Sequence, residues 1–324
     1  MPPSPVHLLA LPTPFAVGEV NAYLVDDDPL TLVDTGPDCG TTLVALQRAL
    51  GEHGRRIADL ERIVLTHQHI DHIGLAQILA ERSGAEVVCL AALAPWLADY
   101  DARMEDEDAF AEALMIRHGI PQEIALALRA VTGQTRAWGN RVEVSRPLSD
   151  GESLQFADRS WRVHHRPGHS PSDTVFHDER TGELLVGDHL IRHISSNAIV
   201  SRPLDGDDGM PVRPLRIYLE SLRATRELAA DVVLPGHGVP IDDHRALIDR
   251  RLAGHERRLG QITRVLRGGA RTIFEIAQEI WGTVAVTQAF LTFSEVFGHL
   301  DLLCERGEAI VLDADEPVRY ALAS

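Results

Sequence analysis

The spacing of apolar residues changes character along the chain. VNAYLV (20–25) and LTLVDTG (30–36) are β-rich runs parted by the turn-like DDDP, and they predict two strands able to pair as a hairpin. CGTTLVALQRALGEHG (39–54) has helical spacing, and LERIVLT (60–66) reads as a short buried strand. HIGLAQILAERSG (72–84) reads as a helix stopped by glycine, and AEVVCL (85–90) as another strand. Such alternation of strand and helix marks a layered α/β domain. Residues 92–137 break the rhythm with helical spacing throughout, an acidic run and a proline break at GIP. They predict a helical insertion that covers one edge or shapes a substrate pocket. Strand-like segments return in RVEVSRPL, ESLQFADRSWRVHHRPG, DTVFHDE and GELLVGD, before a helix, PLRIYLESLRATRELA, leads to the strand DVVLPGHG.

After about residue 245 the texture changes. DHRALIDRRLAGHERRLGQITRVLRGG predicts a long arginine-rich helix, TIFEIAQEIWG and TQAFLTFSEVFGHLDLLCERGEA two more, and IVLDADEPVRYALA a small hairpin. Three helices and a wing-like hairpin suggest a winged-helix-like module over 245–324 behind a catalytic domain over 1–244. Winged helices usually meet DNA, but this segment holds ten arginines against eleven acidic residues, with no basic stripe on its second or third helix. A packing or dimerisation module, and with it a homodimer, is the expectation.

Composition narrows the chemistry. The 324 residues can bury a large core, and a net charge of −17 disfavours a general nucleic-acid binder. No lysine occurs anywhere, which excludes a Schiff-base or P-loop lysine and leaves arginine, backbone N–H groups or a metal for anion recognition. Cys39, Cys89 and Cys304 are far apart and form no CxxC pair, which fits a reducing cytoplasm rather than a disulfide framework. The N-terminal MPPSPVHLLALPTP lacks both a basic start and a sustained apolar segment, and no stretch is long enough to span a bilayer. A cytoplasmic protein without membrane contact is expected.

One segment concentrates titratable groups. LTHQHIDHIG (65–74) places His67 and His69 just beyond a strand, where extended backbone points both the same way, and Asp71 and His72 where a helix begins. Imidazoles and a carboxylate at this density repel when protonated and attract divalent metals when neutral. Three further pieces have one form, an apolar strand and a tight turn that projects one ligand-type residue: RPGHS with His169, LLVGDHL with Asp188 and VVLPGHG with His237. Strand ends of layered α/β folds are where active sites gather.

The ordered set HxHxDH, PGH, GD and PGHG resembles the metallo-β-lactamase superfamily over about residues 5–240. The resemblance implies a four-layer αββα sandwich with two metals at one edge of the sheets. Carried over position by position, it implies one metal on His67, His69 and His169, a second on Asp71, His72 and His237, and Asp188 bridging both. Zinc suits these ligands, though iron or manganese can occupy such a cage. The implied activity is hydrolysis of an ester, thioester, lactone or phosphodiester by a metal-bridging hydroxide, with Asp71 both a ligand and a proton shuttle.

Within the superfamily the layout is similar to the glyoxalase II-like and lactonase-like branch that carries a C-terminal winged-helix segment. The expected substrate is therefore a small ester, thioester or lactone. His193, Arg192 and Arg202 lie on the segment after Asp188, where superfamily members often contact substrate, and are the candidates for that role. His189 is expected to be structural, and either His164 or His165 to orient a ligand from outside the cage. Two alternatives stand beside the hydrolase. An endoribonuclease or phosphodiesterase of the same superfamily is disfavoured by the acidic charge. A non-catalytic regulator, its metals only structural and its C-terminal module binding a partner, is disfavoured by the complete set of seven ligand positions.

Overall fold

The computed structural model describes residues 6–204, 213–312 and 316–323. The first sheet is built from β1 (Val6–Leu11), β2 (Val20–Val25), β3 (Thr31–Val33), β4 (Arg62–Val64), β5 (Glu86–Leu90) and β6 (Arg146–Leu148), in that spatial order. Between these strands lie α1 (Gly40–Glu52), α2 (Ile70–Ile73), α3 (Ala76–Ser83), α4 (Ala94–Ala98), α5 (Tyr100–Arg117) and α6 (Gln122–Thr135). The second sheet comprises β7 (Ser153–Gln155), β8 (Ser160–His165), β9 (Thr174–Asp178) and β10 (Glu183–Gly187). Helix α7 (Pro214–Arg226) then leads to β11 (Val232–Pro235), and the spatial order is β11-β10-β9-β8-β7. The C-terminal part contains α8 (His244–Leu266), α9 (Ile273–Trp281), α10 (Val284–Thr287), α11 (Ala289–Glu305), β12 (Ala309–Leu312) and β13 (Arg319–Leu322).

Side-chain alternation on β2 shows how the layers form. Val20, Ala22 and Leu24 enter the core that α1 and α3 cover, whereas Tyr23 and Val25 enter a second core between the sheets. That inter-sheet core is completed from the other sheet by Leu154, Trp161, Val163, Phe176 and Leu185. A third core covers the outer face of the second sheet, where Val175, Leu184, Val186 and Val233 meet α7, α8, α9 and α11. The order is therefore helices, sheet, sheet, helices, the four-layer αββα sandwich that the resemblance implies.

Three details depart from the sequence patterns. The helix expected over 72–84 is two pieces, α2 and α3, and just past α2 a Cβ at Gly74 would lie 2.3 Å from the backbone nitrogen of Asp38 and 2.4 Å from the Trp138 carbonyl oxygen. The chain passes there by backbone contact. RVEVSRPL pairs only over Arg146–Leu148, and ESLQFADRSWRVHHRPG folds back on itself as the β7–β8 hairpin. The 92–137 segment is helical as expected, and its Leu114, Met115, Ile120 and Ala125 share a core with α8, α9 and α11. The hairpin after α11 is an antiparallel β12–β13 pair, with residues 313–315 of the predicted hairpin outside the described residues. Among the described residues no helix is long and apolar enough to cross a membrane.

Candidate metal centre

Four strand ends deliver the predicted residues to one place. After β4, Thr174 N–H donates to the Thr66 carbonyl and Leu65 N–H to that of Val88, so β5 of the same sheet and β9 of the other fix the chain where His67 begins the turn. His69 precedes α2, whose single turn carries Asp71 and His72. After β8, Ser170 N–H and Oγ donate to the Asp173 carboxylate at 3.0 and 2.6 Å, and His165 Nε2 donates to the Pro171 carbonyl at 2.9 Å. These bonds fold the PGHS loop around His169. The turn needs glycine at 168, because a Cβ there would lie 2.5 Å from Tyr218 Cα on α7. β10 ends in Asp188 and β11 in His237. A Cβ at Gly236 would lie 2.2 Å from Asp188 Oδ1 and 2.8 Å from His72 Cε1, so any other residue there would fill the space between candidate ligands.

The side chains converge in overlapping groups whose ligand atoms lie within 4.8 Å of one another: His67, His69 and His169; Asp71, His72 and His237; and His67, His72 and Asp188. The Nε2 atoms of His67 and His169 each lie 3.0 Å from His69 Nδ1. Asp188 Oδ2 is 3.7 Å from His169 Nε2 and 3.4 Å from His237 Nε2, and its Oδ1 is 3.5 Å from His72 Nε2. Asp188 thus approaches both triads. Asp71 lies 3.3 Å from His237 Nε2 and 3.9 Å from His72 Nε2.

The remaining ring nitrogens fix the tautomers. His237 Nδ1 faces the Glu19 carbonyl oxygen at 2.7 Å, and His169 Nδ1 that of Asn197 at 3.0 Å, so both must donate. His72 Nδ1 donates to Asp34 Oδ2 at 2.8 Å. Thr66 Oγ donates to the same carboxylate at 2.8 Å and accepts from His67 Nδ1 at 3.0 Å. Whenever they are neutral, these four imidazoles therefore present Nε2 lone pairs to one buried space that two carboxylates also face. Among the described residues, His72 Nε2, His237 Nε2 and Asp188 Oδ1 are buried with no hydrogen-bond partner. Such a hole of acceptors is satisfied by protons or by cations, and its donor set of imidazole and carboxylate fits a divalent transition metal.

The electrostatics divide the cluster. Burial, then the charges of His72 and His69, holds His67 well below the usual imidazole range; burial and His169 push His69 down to about 3. Burial also opposes charge on His72 and His237, yet the facing carboxylates win. Asp188, Asp34 and Asp71 raise His72 well above the usual range, and Asp188 and Asp71 raise His237 to about 9. Burial opposes charge on Asp188 as well, but His72 and His237 hold its carboxyl well below the usual range.

Other candidates sit differently. His193 is exposed and stands beside the turn after His237, with its Nδ1 2.8 Å from where a Cβ at Gly238 would be. Arg192 donates to the Pro240 carbonyl and lies 3.7 Å from Asp242; the Arg202 guanidinium lies 3.8 Å from Asp106. Both arginines thus already face an acceptor. His189 is buried, its Nε2 2.9 Å from Thr225 Oγ1, a structural contact. Sequence reasoning missed Asp34, which joins His72 and His67 through Thr66 and holds an unusual φ of +57°. A carboxylate ending the apolar strand LTLVDTG was the available signal, the same one that marked Asp188. Also missed were Asn21, which donates to the Pro235 and Gly238 carbonyls, and Tyr23, whose hydroxyl donates to that of Pro235 at 2.6 Å.

A layered αββα sandwich with a buried histidine–aspartate cage at one sheet edge defines a class of metalloproteins. A family profile described as "Metallo-beta-lactamase superfamily" matches residues 16–237, and the chain belongs to that superfamily. It is 34% identical over 305 residues to "Probable metallo-hydrolase YqjP" of Bacillus subtilis (strain 168), covering 94% of this chain and 93% of that protein. A shorter match, 28% over 122 residues, links 38% of this chain to 26% of "Atrochrysone carboxyl ACP thioesterase" of Aspergillus fumigatus. Among solved structures, metallo-beta-lactamase family protein TTHA1429 from Thermus thermophilus aligns with TM-score 0.82 at 28% identity over 98% of both chains. A beta-lactamase domain protein from Burkholderia ambifaria aligns with TM-score 0.83 at 27% identity, covering 98% of this chain and 92% of that one.

Proposed function

We propose that this chain is a binuclear metal-dependent hydrolase of a small thioester, ester or lactone. The observation that carries the reading is the convergence of Nε2 lone pairs and carboxylate oxygens on one buried space with every other ring nitrogen of His67, His72, His169 and His237 already engaged. His67, His69 and His169 would hold one divalent ion, Asp71, His72 and His237 a second, and Asp188 both. Bound there, the ions supply Lewis acidity and lower the pKa of water toward about 7. The residues of the chain do the rest. Asp34, Thr66 and the Glu19 and Asn197 carbonyls fix tautomer and ring orientation, so the cage is held in one geometry before substrate arrives. Asp71 faces the same space with a carboxylate able to accept a proton from an attacking water and pass it to a departing thiol or alcohol. His193, exposed beside Gly238, would contact substrate at the rim.

The thioester class draws support from the relative named as a thioesterase, and the metallo-hydrolase class from the relative matched along nearly its whole length. Metal analysis of the purified protein combined with a thioester and lactone panel tests the proposal. The expected result is close to two divalent ions per chain and hydrolysis that His69→Ala abolishes without loss of fold. A metal-replete protein inert to the whole panel overturns it.

A further inference from the structure

A cavity of about 230 Å³ lies between α8 and the segment after Asp188, lined by Ser195, Arg250, Arg251, His255, Arg257 and, from α11, Glu295. Its charge is one-sided. The acidic residues within α8 are both spent on arginines from other elements: Asp249 on Arg226 at 2.8 Å and Glu256 on Arg306 at 2.8 Å. Glu295 is matched by Arg258 at 3.2 Å. Arg251 Nη2 donates to the Ile191, Arg192 and Ile194 carbonyls, which anchors the guanidinium without cancelling its charge. The arginines at 250 and 257, seven apart on one helix, share a face, and no ion pair neutralises either among the described residues. Three guanidinium charges therefore border a concave space in a protein whose net charge is −17.

A second observation points to a ligand. His299 Nδ1 donates to the Glu295 carbonyl at 2.6 Å, so its Nε2 accepts from His255 Nδ1 at 3.2 Å. His255 is 6% exposed, and its remaining nitrogen, Nε2, is buried without a partner; with Nδ1 donating it is an acceptor, which the hydroxyl of a protonated phosphate can satisfy. His255, Glu295 and His299 could by proximity hold a cation. The neighbouring guanidiniums repel one, and Arg258 already occupies the carboxylate.

We propose that this cavity binds a phosphate group. Guanidinium forks match phosphate oxygens in geometry and charge, and Ser195 adds a hydroxyl at the rim. The site adjoins the candidate metal centre: Ser195 is two residues from Asn197, whose carbonyl accepts from His169 Nδ1. Two residues of extended chain span at most about 7 Å. We assign the phosphate to the thiol portion of a thioester whose acyl end lies at the cage; this assignment of source rests on the hydrolase reading above, whereas the phosphate site does not.

Calorimetry of the full chain with inorganic phosphate at low salt reads the site directly. Saturable binding is expected, weakened about tenfold or more by the double variant Arg250→Ala, Arg257→Ala. Kinetics then read the source. The metal-loaded protein is given two thioesters with one acyl group, one on coenzyme A and one on N-acetylcysteamine. If the phosphate is borne by the substrate, the double variant lowers the ratio of kcat/KM for the first over the second about tenfold. Phosphate binding that the variant weakens, with the ratio unmoved, assigns the site to free phosphate. Absence of phosphate binding overturns the proposal, as does binding of a short single-stranded RNA that inorganic phosphate fails to displace. Failure of both thioesters to react in a protein that still binds phosphate overturns the assignment of the phosphate to a thioester substrate and leaves the phosphate site standing; inertness to the whole ester, thioester and lactone panel overturns the hydrolase reading.

Discussion

Two buried groups of imidazoles occupy this molecule, one at the ends of the sheets and one between α8 and α11, and they differ in what their nitrogens face. At the sheet ends, Nδ1 of four rings is committed to Asp34, Thr66 and two backbone carbonyls, so the Nε2 lone pairs converge on carboxylate oxygens. Between the helices, His255 Nδ1 donates to His299 Nε2 and His299 Nδ1 to a backbone carbonyl, only His255 Nε2 is left without a partner, and the Glu295 carboxylate answers Arg258. Proximity of histidines does not make a metal site. What makes one is a surround that forces acceptors toward each other and leaves them without donors.

Breaking the first group should have the largest effect. Asp188→Ala removes the carboxylate that reaches both triads, and hydrolysis is expected to fall about a thousandfold or more, since ligand and charge stabilisation are worth several kcal/mol. Inductively coupled plasma analysis should find fewer than two ions per chain in that variant, and a normal metal content in His255→Ala. Equal metal loss in both would erase the distinction between the groups. Next in size, Asp34→Asn withdraws a carboxylate from His72 and Thr66 while retaining its shape. Metal affinity should drop about 10- to 100-fold in a chelator competition, and an unchanged affinity would show that the Nδ1 contacts do not set the ligands.

The smallest effect concerns pH. Burial pushes His299 down to about 4, and burial with the His299 charge does the same to His255. In the unfolded chain both return to about 6.5, so between those values the unfolded state binds protons that the folded state refuses. This contribution to stability is complete above about pH 6.5, falls as the pH drops toward about 4, and is level below. The midpoint of urea unfolding at saturating metal should therefore decline over that window. His299→Gln, which cannot titrate, should flatten the decline; an identical slope would mean that the helix pair is already protonated in the fold.

How much of this the chain announced depends on the distance over which each residue acts. The seven cage positions stand in short motifs whose strand-turn-ligand form is local, so the motifs marked them; alternation gave a layered α/β domain, and the four-layer sandwich came from the family resemblance that the motifs carry. Asp34 escaped because its partners, Thr66 and His72, lie 32 and 38 residues away and only the β3–β4 pairing brings them to it. Asn21 and Tyr23 escaped for the same reason, across more than 200 positions. The need for glycine at 74 comes from backbone arriving from Asp38 and Trp138. The arginines of α8 were visible as a run, but whether each is free is decided by which carboxylates α7 and α11 leave unmatched.

The Asn21 tie to the PGHG turn also sets when the cage can exist during synthesis. Its amide grips carbonyls 214 and 217 positions later, and His237 Nδ1 is oriented by Glu19 from the same early strand. Contacts that close so long a loop form late. A ribosome-bound chain thus has no complete set of candidate ligands until β11 has emerged and found the first hairpin, which would tie any ion loading to the finished sandwich and not to the nascent one.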